Sequence, residues 1–240
     1  MPQTAHTFST ELVTRVDLPY LLHLPDGVEA RDDWPLILSL HGSGERGTDV
    51  ALVRRQGLPR RLDEGLELPA VVLSPQCPDG QVWAQQYPAV MALVDAVMQR
   101  IGIDRDRLVL TGLSLGGVGV VHLAATHPER FAAIAPICGP WAWYYVNPAM
   151  AKLPLWAFHG EDDPVVAVED SRRLAAAVKA LGGEARLTTY PGVGHDAWTA
   201  AYADEELLAW MLAQRRDGAV GTAAARGARR RRAPRVRGTS

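Results

Sequence analysis

The sequence predicts an α/β domain: a mostly parallel central sheet with helices on both faces and antiparallel strands at its N-terminal end. Three observations predict it. Strand-like runs come early, before any helical pattern, and from about residue 90 onward short apolar runs alternate with helical periodicity, the order that builds a parallel sheet. The chain has 240 residues with 48% hydrophobic content, enough for one substantial core. No internal repeat or linker interrupts it before a basic C-terminal segment.

The elements follow in order. Leu12–Leu24 reads as a hairpin broken near Pro19, followed by strands at Leu36–Leu40, Ala70–Ser74, Leu108–Thr111, Ala132–Ile137, Leu155–Phe158 and Ala185–Tyr190. Val90, Leu93, Val94, Val97, Met98 and Ile101 recur at the spacing of one helical face. Val166–Leu181 and Ala197–Gln214 show the same period, and Gly182-Gly183 closes the first of them.

Charge divides the chain. Residues 1–214 carry 16 Lys+Arg against 26 Asp+Glu, whereas residues 215–240 carry nine Arg and one Asp. We read residues 1–214 as a single domain and 215–240 as a disordered Arg/Ala-rich tail, because the tail has no apolar face to bury. Such a tail can make weak contacts with an acidic partner, but an acidic body argues against nucleic acid as the main ligand. Met1–Thr10 is polar and lacks the pattern of a secretory signal, and no apolar run is long enough to span a bilayer. Cys77 and Cys138 are too few for a disulfide framework, so the expected compartment is the cytoplasm. The sequence says nothing of oligomeric state.

In an open parallel sheet, ligands bind outside the carboxyl ends of the strands. That rule sorts the candidate residues. Gly112-Leu113-Ser114-Leu115-Gly116 ends an apolar strand and opens a helix, the pattern of a serine held on a strained turn with its hydroxyl exposed. A serine hydroxyl needs a base, normally a histidine oriented by a carboxylate. Of seven histidines, His195 follows the last strand in the loop Pro191-Gly192-Val193-Gly194-His195-Asp196. His41 and His159 end strands and are expected to brace loops, while His122 and His127 are placed on the helix after Ser114, facing away from it. The acid is expected after another strand, in Gly160-Glu161-Asp162-Asp163-Pro164, where Pro164 fixes the direction of Asp163 and Asp162 is the rival.

Two backbone N–H groups should stabilise the developing negative oxygen: Leu115, at the helix start, and Ser43, in the glycine-rich loop His41–Gly47. That loop also matches G-x-G-x-x-G, but the next strand ends in Ser74-Pro75-Gln76 without the acid that would hold a ribose. No metal motif is present: His122 and His127 are five apart, and Cys77 and Cys138 read as buried thiols. No cofactor is expected. Trp83, Trp141, Trp143 and Trp198 are the candidate substrate pocket.

With these pieces in order, the chain resembles the α/β-hydrolase superfamily. Within it, it is similar to the dienelactone hydrolase-like, phospholipase/carboxylesterase and predicted-peptidase group of small serine esterases. The resemblance rests on Pro35–Gly47, Ser74–Pro78, the Ser114 elbow, His159–Pro164 and Gly194-His195, and covers about residues 12–212. It implies the α/β-hydrolase fold, a Ser114–His195–Asp163 triad, an acyl-enzyme intermediate and a carboxylic or thio ester of small to medium size as substrate. Dienelactone hydrolase is expected to carry cysteine at the elbow, so serine here argues against that activity. The rival readings are a ligand-binding protein on the same fold and a peptidase.

Overall fold

The computed structural model describes residues 3–11, 13 and 15–216. One seven-stranded sheet organises them, in the order β1-β3-β2-β4-β5-β6-β7. The strands are β1 (Tyr20–His23), β2 (Trp34–Leu40), β3 (Val71–Pro75), β4 (Ile103–Leu113), β5 (Ala133–Ile137), β6 (Leu155–Gly160) and β7 (Ala185–Tyr190). Only β1 is antiparallel, paired with β3; every other pairing is parallel. The helices are α1 (Gly57–Asp63), α2 (Trp83–Arg100), α3 (Leu115–Thr126), α4 (Val168–Ala180), α5 (Ala197–Ala201) and α6 (Glu205–Ala213).

Buried strands explain the layering. Every residue of β2, β3 and β5 is buried, so both faces of the sheet must be covered. Leu36, Leu38, Leu40, Leu108, Leu110 and Ile134 pack beneath α2, α3 and α4, whereas Ile37, Val109, Ile137, Trp156 and Phe158 pack against α1, α5 and α6. Alternate residues of one strand thus supply two separate cores.

Several boundaries differ from the sequence reading. Among the described residues, the expected N-terminal hairpin contains only the strand Tyr20–His23. Helix α2 begins at Trp83 and runs through Pro88, which reads locally as a breaker; near its start the Gln85 side chain accepts the Val82 N–H at 2.9 Å. The expected helix Ala197–Gln214 is two helices. Asp204 restarts it by capping α6, accepting the Glu206 N–H at 2.8 Å. Arg215 and Arg216, placed at the head of the tail, are tied to the body: the Arg216 N–H donates to the Asp106 carbonyl at 2.9 Å, and Arg215 pairs with Asp104. The rest of the tail lies outside the described residues.

Candidate active site

Ser114 ends β4 and caps α3 with φ 52° and ψ −115°, a conformation that strains any side-chain-bearing residue. Its neighbours make the turn sterically possible. A Cβ on Gly116 would stand 2.0 Å from the Leu40 carbonyl oxygen, and one on Gly112 would stand 2.7 Å from the same atom. The turn is anchored by the Ser114 N–H, which donates to the Ile137 carbonyl at 2.9 Å.

Two strands away, the end of β6 brings in the acid, and the loop after β7 brings in the histidine. Gly160 lets the two meet, since a Cβ there would strike the Gly194 and Val193 carbonyls at 2.1 and 2.3 Å. The Asp162 N–H donates to the Val193 carbonyl at 3.0 Å, joining the two loops, while the Asp162 side chain stays exposed. Asp163 is the acid that reaches the histidine. Its Oδ2 lies 2.7 Å from His195 Nδ1, and His195 Nε2 lies 3.0 Å from Ser114 Oγ. Burial alone would raise the Asp163 pKa. The His195 bond and the N–H groups of Val165 and Val166 outweigh it and hold the carboxyl below its usual range.

The glycine-rich loop lies against the same serine. A Cβ on Gly42 would stand 3.6 Å from the Ser114 Cβ. His41 braces this loop: its Nε2 accepts the Cys77 N–H at 2.9 Å, which leaves Nδ1 to donate to the Gly42 carbonyl at 2.5 Å. Burial lowers the His41 pKa to about 4, so the ring is neutral. Gln76, fully buried, donates to the Glu45 and Asp49 carbonyls at 2.9 and 2.8 Å. In the sequence Gln76 stands out only as part of the Ser74–Pro78 stretch, with no role assigned to its side chain. Leu115, the first residue of α3, has an N–H without an intrahelical partner.

His159 also plays a bracing part. Its Nδ1 meets Ser171 Oγ at 2.7 Å, and its Nε2 lies 2.9 Å from the Val166 carbonyl and 3.2 Å from Asp163 Oδ2.

One expectation is overturned. The sequence reading built a serine esterase from Ser114, Asp163 and His195, and set Cys138 aside as a buried thiol. Cys138 is a buried thiol, as expected, but it stands within the site: its Sγ, a carboxylate oxygen of Asp163 and a ring nitrogen of His195 lie within 4.8 Å of one another. The acid–base pair therefore has two nucleophilic side chains beside it. A serine esterase defined by a Ser-His-Asp set alone does not describe this arrangement. Cys138 is reached because β5 pairs with both β4 and β6, Leu113 opposite Ile137 and Ile137 opposite Phe158.

The thiol has its own constraints. Cys138 sits at φ 40°, is fully buried, and donates from Sγ to the His195 backbone carbonyl at 3.6 Å. Burial pushes its pKa well up. Cys138, Asp163 and His195 are also, among the described residues, the group placed closely enough to share an ion. As they stand, hydrogen bonds engage the Asp163 carboxylate, and the thiol keeps its proton.

The four tryptophans do not form one pocket. Trp83 and Trp141 line a cavity of about 210 Å³ together with Leu115 and His122. His122 was expected to face away from the elbow; it lines this cavity because α2 and the 140–145 loop wrap that side of α3. Trp143 stacks on Tyr144 and donates from Nε1 to Asp170 at 3.1 Å. Trp198 meets the His195 ring edge-on at 5.3 Å and donates to Gln56.

Comparison with known proteins bears on this geometry. The model of the phospholipase/carboxylesterase family matches residues 72–204. Acyl-protein thioesterase 1 of Gibberella zeae is 32% identical over 106 residues, covering 40% of this chain and 44% of that protein. The protein of the same name from Neurospora crassa is 31% identical over 103 residues, 40% of this chain and 42% of that one. The matched stretch thus spans less than half the length of these relatives. A crystal structure described as a thermostable esterase superposes with a TM-score of 0.74 at 34% identity, covering 85% of this chain and 60% of that one.

Proposed function

This chain belongs to the phospholipase/carboxylesterase family of α/β-hydrolases, and from that premise we propose that it hydrolyses small carboxylic or thio esters. The observation that carries the reading is the pair of hydrogen bonds on His195, to Asp163 at 2.7 Å and to Ser114 at 3.0 Å. In this assignment Asp163 orients the imidazole and balances its charge, and His195 takes a proton from Ser114 and returns it to the departing alcohol or thiol. The N–H groups of Ser43 and Leu115 hold the carbonyl oxygen as it becomes negative. Two free, buried thiols accord with work in a reducing compartment such as the cytoplasm. Among the described residues, no helix is long and apolar enough to cross a membrane.

The Cys138–Asp163–His195 cluster supports a second reading, with the thiol as attacking group. It requires a thiolate, which burial opposes, and a proton path from Sγ to the imidazole, whereas Sγ donates to the His195 carbonyl. Both readings share the same base. Hydrolysis of p-nitrophenyl acetate tests that common core: Asp163→Asn should lower kcat by up to ~10⁴, because the acid holds the imidazole in its working tautomer. Wild-type turnover in Asp163→Asn would remove the pair from the mechanism.

A further inference from the structure

The cavity beside α3 bears on the substrate class. It begins at Leu115, the residue after Ser114, and continues over Val118 and His122 to Trp83, Tyr87 and Trp141. None of its lining comes from the His195 loop. The leaving oxygen of an ester must lie near His195, which protonates it, so a cavity that starts beside Ser114 and takes no lining from the His195 loop is placed for the acyl group. At about 210 Å³ it is small; an apolar cavity of ~150 Å³ holds one benzene ring. That volume matches one flat ring and is small for a long alkyl chain.

Its walls are suited to such a ring. Trp83 is buried, and its Nε1 is spent on the His41 carbonyl at 3.0 Å. The Tyr87 hydroxyl is spent on the Gly119 carbonyl at 3.0 Å. Both residues therefore offer the cavity aromatic surface rather than polar groups. The cap is fixed from outside: Asp170 accepts the Trp141 N–H at 3.2 Å and the Trp143 Nε1–H at 3.1 Å. His122 is the exception in this apolar lining. It stacks on Tyr145 at 4.1 Å and meets Tyr87 edge-on at 5.2 Å. Among the described residues, nothing hydrogen-bonds its ring nitrogens. Burial lowers its pKa, so at neutral pH the ring carries one donor and one acceptor.

Resting on the hydrolase reading above, we propose that this cavity is an acyl subsite for a planar aromatic carboxylic ester, with His122 as the specificity-determining residue that binds a polar substituent on the ring. The test compares kcat/KM on p-nitrophenyl acetate, benzoate, 4-hydroxybenzoate and decanoate, for the wild type and His122→Leu. The wild type should prefer both aryl esters to the decanoate by tenfold or more. His122→Leu should lower the ratio of 4-hydroxybenzoate to benzoate by up to about tenfold, the order expected for one lost hydrogen bond. That ratio is independent of the folded fraction, so a variant that folds poorly still reports. Preference for the decanoate, or an unchanged ratio in His122→Leu, overturns the aromatic subsite while acetate turnover leaves the hydrolase reading standing. A wild type that cleaves none of the four esters removes both.

Discussion

Placing one methyl group on Gly116 tests whether the elbow and the glycine-rich loop are a single rigid unit. A Cβ there would stand 2.0 Å from the Leu40 oxygen, 2.6 Å from the Leu40 carbonyl carbon and 2.7 Å from the His41 oxygen, against the 3.4 Å at which ordinary contact begins. All three atoms are backbone, so no side chain can rotate away, and β2 and α3 must separate by roughly 1 Å. Overpacking of this kind costs about 1–3 kcal/mol. For a chain of this size that corresponds to a fall in Tm of roughly 2–12 °C. The activity loss should be larger in proportion, because β2 leads directly into the His41–Ser43 loop and a misplacement of about 1 Å at a reacting centre costs on the order of 10²-fold. Gly44→Ala is the control: it lies in the same loop, and its Cβ would meet nothing within 4 Å. Thermal melts and p-nitrophenyl acetate turnover on both variants decide the matter. Gly116→Ala with wild-type turnover, or Gly44→Ala equally damaged, would refute the argument.

Two further predictions concern stability. Tyr202 is fully buried, and its hydroxyl lies 2.9 Å from Thr111 Oγ1, which itself donates to the Ala135 carbonyl at 2.8 Å; Tyr202→Phe should cost about 1–2 kcal/mol in denaturant melts with little change in kcat. His41, lowered from 6.5 to about 4, stays neutral in the folded protein while the unfolded chain takes up a proton, so stability is full above pH 6.5 and declines as pH falls toward 4. NMR titration checks the cause directly: the His41 ring should remain neutral at pH 5.5, and a midpoint near 6.5 would contradict the burial account.

What the sequence makes legible follows physical range. Strand β7 spans the predicted Ala185–Tyr190, and the elbow, the acid turn and the histidine loop each lie just after a strand, because apolar periodicity and glycine placement are local signals. Asp163 over Asp162 also follows from a local cause: the two N–H groups after Pro164 turn back onto Asp163 Oδ1. Cys138 was not legible as part of the site. Its place depends on which strands neighbour β5, and pairing order is a property of the whole sheet. His122 was misplaced for a related reason, since helical phase alone does not reveal that α2 and the 140–145 loop close over that face of α3. Trp143 and Trp198 share the composition of a pocket, yet bond to Asp170 and Gln56 instead.

The central claim is that His195 and Asp163 serve a nucleophile at His195 Nε2, where Ser114 stands at 3.0 Å. Treatment with a fluorophosphonate followed by intact-mass and peptide mass spectrometry tests it most directly, on the wild type, Ser114→Ala and Cys138→Ala. The account predicts one adduct on the Ser114 peptide, absent in Ser114→Ala and retained in Cys138→Ala along with ester turnover. Loss of labelling and turnover in Cys138→Ala, with both kept in Ser114→Ala, would contradict it and assign the reaction to the thiol.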